Sequence, residues 1–258
     1  MLLAAMAIAA PAAAQVDYHN LDHGRPTVVE DAYPIERYGF ELSAGYRRAG
    51  PSGGARHLFE PELLYGLARG VHAALRTPFV VSSGGSGSPA GLAGIDLSVL
   101  LNLSTERVSR PGLAVRVDAS LPAGAAGGHG IGGWVTGLAT RSFGAERIHL
   151  NASVALDTPE VPGGGDHPRR WWVGMAVDRT LIRSSTLLVG EATVGSVERG
   201  RPLRYSVGAA IRRQVAPTLV ADVGLGWEFA RAARTETSLT FGLSHAFGFA
   251  LLMPGRTR

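Results

Sequence analysis

Residues 91–104 read GLAGIDLSVLLNLS and alternate with a period of two. Ile95, Leu97, Val99, Leu101 and Leu103 share one parity; Asp96, Ser98 and Asn102 share the other, and Leu100 alone breaks the rule. That period describes a β-strand with one apolar and one polar face. Two architectures use it. A soluble sandwich turns the apolar face into a core, whereas a membrane barrel turns it to lipid and lines a wet lumen with the polar face.

The same period recurs about twelve times across the chain. The segments are Arg37–Arg47, His57–Leu67, Val71–Val80, Gly91–Ser104, Leu113–Leu121, Trp134–Phe143, Ile148–Asp157, Trp171–Arg179, Thr186–Val194, Leu203–Arg213, Leu219–Phe229 and Leu239–Phe249. Only Trp134–Phe143 leaves its facing ambiguous. Three features favour the barrel. Each segment is roughly nine to eleven residues, the span a tilted strand needs to cross a bilayer. Gly/Pro/Ser-rich loops such as SSGGSGSPAG and TPEVPGGGDHPRR alternate with short turns such as ARG and GAER, with STERVSRPG longer; short periplasmic turns and long external loops are the outer-membrane arrangement. Aromatic residues (Tyr38, Phe79, Trp134, Trp171, Trp227, Phe249) sit near segment ends, where an interfacial girdle places them.

The expected fold is therefore all-β: a transmembrane antiparallel up-and-down β-barrel of about twelve strands. Its polar parity sends Arg37, Glu41, Glu60, Glu62, Arg76, Asp96, Arg116, Asp118, Asp178, Glu191, Arg212 and Asp222 to the lumen, with Asp157 and Glu228. Charges alone do not separate the two architectures, because a sandwich would show them to water; strand length and loop alternation do. Arg76, Arg116, Arg204 and Arg212 opposite Glu60, Glu62, Asp96 and Asp118 form either a selective constriction or an ion-pair network that stiffens or plugs a narrow barrel, one that side chains and the lead-in segment can largely fill.

The 258-residue chain holds no Cys, which removes disulfides, thiolate catalysis and zinc–thiolate sites together. The net charge of +4 is mild and its basic residues are scattered, without a stripe for nucleic acid. The longest apolar run, Leu2–Ala14, is too short for a transmembrane helix. Residues 1–14 read as a signal peptide with an A-x-A-like site before Gln15, although no basic residue precedes the apolar run. Residues 15–35 carry Pro26 and Pro34 and read as an extended periplasmic lead-in. The barrel is expected over 36–252 and a tail over 253–258.

Several motifs invite chemistry. Gly128–Gly133 matches G-x-G-x-x-G, but a strand-like segment follows where a dinucleotide site needs a helix. Gly50–Gly54 matches G-x-S-x-G in a loop lacking the strand-to-helix turn of a nucleophile elbow. His19, Asp22 and His23 precede a proline and lack a further ligand. His149, Asn151 and Ser153 hold the residue types of a lipid-hydrolysing triad, yet neighbours on one strand face stand nearly 7 Å apart, too far for a Ser–His bond without a partner strand.

LDHGRPTVVEDAYPIERYGFEL, EPELLYGL, LAGIDLSVLLNL, MAVDRTL and SLTFGLSHAFGF together resemble the outer-membrane barrel transporter family related to the meta-pathway of phenol degradation. The resemblance spans essentially the whole chain after the signal, and its motifs belong to the scaffold. It implies passage of small molecules, aromatic or hydrophobic ones among them, across the outer membrane of a Gram-negative bacterium, without enzyme activity or cofactor. Its partners would be outer-membrane lipid, lipopolysaccharide, the barrel assembly machinery and the solute. One departure stands out: many such barrels end on an aromatic residue, and here ALLMPGRTR follows Phe249. The alternatives are a closed structural or surface-interaction barrel and a lipid-modifying barrel enzyme.

Overall fold

A computed structural model describes residues 17–50, 55–83, 90–157, 170–196, 202–231, 235–249 and 252; the signal-peptide and tail assignments lie outside them. The strands are β1 (Gly39–Gly50), β2 (Ala55–Ala68), β3 (Val71–Arg76), β4 (Phe79–Ser83), β5 (Gly91–Leu92), β6 (Ile95–Ser104), β7 (Gly112–Leu121), β8 (Gly132–Phe143), β9 (Glu146–Asp157), β10 (Trp171–Leu181), β11 (Thr186–Ser196), β12 (Arg204–Ala216), β13 (Leu219–Ala230) and β14 (Glu236–Gly248). All pairings are antiparallel and join consecutive strands except β2 with β4 and β3 with β6, and β1 closes the sheet by pairing with β2 and with β14.

The result is a closed barrel of twelve staves, because two staves are interrupted strands. β3 and β4 both pair with β2 and break at Thr77-Pro78. Pro78 has no N–H to give the ladder; its carbonyl accepts from Ala93 N, and Pro61 O accepts from Thr77 N. β5 and β6 break at Ala93-Gly94, where Gly94 takes a φ of +118°. The opening stretch is thus one stave with a kink near its start.

Parity decides what each side meets. Leu42, Leu63, Leu97, Leu150, Val173, Leu225 and Leu243 project outward and are exposed. The opposite parity is buried and mostly polar. Turns at one end are short (69–70, 144–145, 182–185, 217–218, with 105–111 the longest), and the connections at the other end are mostly longer. On the outward face the β1–β14 seam is covered by aromatic rings. Phe40 stacks on Tyr65 and Phe247 at 4.5 and 5.4 Å, with Phe249 edge-on at 5.2 Å. Trp171, Trp227 and Phe79 are also exposed, but Trp134 lies on the inward parity of β8 and lines the lumen. That resolves the ambiguous segment: Thr136, Leu138 and Thr140 face in.

Candidate functional site: an occupied lumen

Residues 17–38 enter the barrel. They fold into a hairpin inside the barrel, its limbs tied by Leu21 N donating to Asp31 Oδ2 (3.1 Å) and Asp31 N to Leu21 O. The wall reads the hairpin's main chain with its own side chains. Asn151 Oδ1 accepts from Glu30 N (2.8 Å), and Asn151 Nδ2 donates to Glu30 O (2.9 Å). One carboxylate oxygen of Glu191 accepts from Val28 N and Val29 N at 2.8 and 3.0 Å. Thr140 Oγ1 accepts from Ala32 N, Asn102 Nδ2 donates to Ala32 O, and Thr240 Oγ1 donates to Pro26 O. Buried main-chain polar groups need such partners, and the segment has few of its own.

Ion pairs hold the side chains. Arg25 reaches Asp222 (3.0 Å) and Ser244 (2.8 Å); Arg212 reaches Asp22 (2.6 Å) and Asp222 (3.6 Å). Arg116 bonds both Glu30 and Asp118. Arg147 pairs with Asp178 at 2.6 Å, donates to His19 O, and faces Asp31 at 3.9 Å. Arg76 bonds Glu62 (3.1 Å), faces Glu60 (3.8 Å) and donates to His23 Nδ1 (2.6 Å). Burial, helped by the guanidinium groups of Arg116, Arg76 and Arg47, holds the His23 imidazole well below its usual range, so that nitrogen is free to accept.

Apolar contacts complete the seat. Leu21 and Val29 pack on Ala176, Leu187, Val189 and Ala210; Ala32 packs on Leu100, Ala114 and Leu138. Leu100, the one residue out of pattern in the opening stretch, is therefore inward and covered. Inward glycines make the room. A Cβ on Gly242 would stand 2.3 Å from Asp222 Oδ1, one on Gly224 2.6 Å from Pro26 O, and one on Gly174 2.7 Å from Val29 Cγ2.

Buried residues ring the lumen in its short-turn half, with Ser43, Ser244, Val220, Arg212, Leu187, Asp178, His149, Thr140, Ala114, Leu100, Ala74 and Leu64 contributed by successive staves. This level is a packed core. A chamber of about 500 Å³ lies on its long-loop side, lined by Arg47, Arg76, Arg116, Asp118, Trp134 and Trp172. One of about 520 Å³ lies on the short-turn side, lined by Asp17, His19, Tyr33, Glu36 and Arg147.

Of the residues expected on the lumen wall whose side chains are described, all take the inward parity except Arg37. Arg37 precedes β1, is exposed, and lays its guanidinium over the Tyr38 ring at 4.4 Å. Tyr38 has a φ of +66°, which breaks the alternation that placed Arg37 inside. The expected lattice of opposing charges forms in part, with Arg76 on Glu62 and Glu60 and Arg116 on Asp118. Arg204 meets Glu228, while Arg116 and Arg212 divide themselves between the wall and the hairpin. Asn151, Thr140, Asn102 and Arg147 hold the hairpin without any motif of their own in the sequence. Their signal was available only as polar residues at inward positions.

The enzyme-like residues are engaged separately. His149 bonds Thr140 (3.0 Å) and Asp178 (2.9 Å), Asn151 holds Glu30, and Ser153 accepts from Thr136 (2.9 Å). His149 and Thr140 are fully buried and Thr140 already accepts from Ala32, which leaves no space for a substrate. Among the described residues no His bonds a Ser or Glu, and no cluster of three or more His, Asp and Glu would hold a metal. His19 bonds Asp17. Gly132 opens strand β8, so the glycine run leads into a strand; most of the other glycine motif lies outside the described residues.

The Asn151 clamp carries an expected result. Asn151→Ala leaves the Glu30 N–H and C=O buried without partners, costing about 1–3 kcal/mol. Amide exchange at Val28–Ala32 accelerates while strand amides far from the hairpin keep their protection; unchanged exchange would show that the clamp holds nothing.

A closed antiparallel barrel with an apolar exterior and polar interior has the fold of outer-membrane β-barrels. No protein-family model and no curated protein matches the chain. Among solved structures, an outer-membrane channel from Pseudomonas putida F1 superposes with a TM-score of 0.62 at 13% identity, covering 88% of this chain and 100% of that one. The NanC porin gives 0.54 at 11% identity over 80% and 98%, and the KdgM porin 0.52 at 10% over 79% and 98%. At these identities the likeness is one of fold.

Proposed function

We propose that the protein is an outer-membrane channel for small molecules, aromatic and hydrophobic ones among them, held in a closed state by the hairpin, with its short-turn end in the periplasm. The observation that carries this reading is a polar lumen with a chamber at each end inside a belt of exposed Leu, Val and Phe. Trp134 and Trp172 beside Arg47 and Arg116 suit an aromatic solute entering the long-loop chamber, and the likeness of LDHGRPTVVEDAYPIER and its companion segments to the phenol meta-pathway transporters supports the same class. Ion conductance in planar bilayers, with uptake of phenolic and benzoate-type solutes into liposomes, tests it. Flux that discriminates against aromatic solutes would overturn the substrate class alone.

The occupied mid-lumen favours a second reading, a closed surface barrel without transport. Lack of conductance even after the hairpin is removed would support it.

Membrane embedding has its own test. Leu225 is outward and exposed near the middle of β13. Leu225→Arg there costs about 2–4 kcal/mol of folding stability in vesicles, whereas Ser98→Arg on the inward face of β6 costs far less. Equal tolerance of both would remove lipid from the outer face.

A further inference from the structure

We infer that the short-turn end carries a collar for anionic phospholipid headgroups, an inference that rests on the membrane reading above. Arg107 and Arg110 flank Val108, which is 97% exposed at the tip of the 105–111 turn. Arg183 follows Ile182, 77% exposed, and Arg213 stands two residues before Val215, 62% exposed on the outward parity of β12. Three separate turn regions thus repeat one pairing: an exposed apolar side chain next to an exposed arginine. None of these four arginines has an ion-pair partner among the described residues, whereas Arg179 nearby is matched by Glu146 at 3.0 Å.

The first tip is held in place rather than loose. Arg107 and Arg110 exchange main-chain hydrogen bonds, and Arg141 Nη1 and Nη2 donate to Arg107 O and Val108 O at 2.6 Å each. The tip therefore presents Val108 outward with an arginine on each side. An apolar group reaching the acyl boundary beside an arginine at headgroup depth is the chemistry of an interfacial anchor, and unmatched guanidinium groups select anionic lipid. The occupant is the phosphate of an anionic phospholipid in the leaflet beside the short turns.

The full chain is refolded into phosphatidylcholine vesicles with and without phosphatidylglycerol, and the lipids it retains on extraction are counted by native mass spectrometry. The expected result is preferential retention of phosphatidylglycerol that weakens with salt. In Arg107→Gln, Arg110→Gln, Arg183→Gln and Arg213→Gln, alone and combined, the preference falls about fivefold for each arginine removed, which is about 1 kcal/mol per basic residue near an anionic surface. Insertion of the wild type with equal retention of both lipids overturns the collar and leaves the tips to a protein partner, while membrane embedding stands. Failure to insert into either vesicle counts against embedding itself. A combined variant that inserts and keeps the full preference also overturns the collar.

Discussion

A chain lacking residues 17–33 conducts ions, with unitary steps at least an order of magnitude above any leak through the full-length barrel. The wall does not need the hairpin to close: β1 pairs with both neighbours over ten or more residues, and each ladder is formed by strands alone. What the hairpin supplies is the filling. Ser43, Thr136, Thr140, Asn151 and Ser244 are buried beneath or beside it, and all five are polar groups that water wets once it is gone. The emptied wall also has a sign. Glu41, Glu60, Glu62, Asp96, Asp118, Asp178, Glu191, Asp222 and Glu228 outnumber Arg47, Arg56, Arg76, Arg116, Arg147, Arg204 and Arg212 on the inward face, so the opened pore favours cations. Reversal potentials in a salt gradient measure this directly. A deletion variant that is folded and inserted yet silent would favour the closed-barrel reading, and anion selectivity would contradict the charge argument.

The inward glycines offer the same test without removing a charge. Gly242→Val and Gly224→Val push into Asp222, Arg25 and Pro26 O, where a Cβ already comes within 2.6 Å of its neighbours. They unseat the hairpin from the β13–β14 side and open the lumen in part. Conductance between the full-length and deleted chains is the outcome that ties the seat to the block.

The barrel was legible because its physics is local. Each strand shows a two-residue period, and Leu97, Leu150 and Leu225 announce the outward face without reference to any other strand. The occupied lumen is not local. Pro26 and Pro34 correctly deny residues 17–35 a helix or a central strand, and a narrow barrel leaves room for them as a filling, but nothing in their own order chooses that place over the mouth. The hints lay in exceptions. Leu100, Leu138, Leu187 and Val189 put apolar side chains on the inward parity, where a wet lumen calls for polar ones; they pack on Leu21, Val29 and Ala32 or on one another. Charges misled in a different way. Parity gave the facing of Arg116 and Arg212, but their strongest partners include Glu30 and Asp22, which belong to the hairpin and not to any neighbouring stave. Arg37 failed because one residue, Tyr38, leaves the extended backbone just before the ladder begins.

The larger stability effect belongs to Arg212. Its side chain is fully buried, with Asp22 and Asp222 both on Nη1 and Arg25 shared between the same two acids. Arg212→Met removes one of two cations from a buried pair of carboxylates, and breaking a buried pair in this way costs about 3–5 kcal/mol. The loss falls on two links at once, since Asp22 is on the hairpin and Asp222 on β13. Urea unfolding of the vesicle-inserted barrel reports the wall, and amide exchange at Leu21–Arg25 reports the seat; both shift. Arg212 Nε and Nη2 and Asp222 Oδ1 find no hydrogen-bond partner among the described residues, so the network is incompletely satisfied and its net contribution is smaller than the cost of breaking it. It follows that Arg212→Met with Asp22→Leu recovers most of the lost stability, because one cation and one anion leave together and Arg25 keeps Asp222 as its partner at 3.0 Å. A double variant as unstable as the single one would mean that Arg212 acts through its shape in the wall and not through its charge.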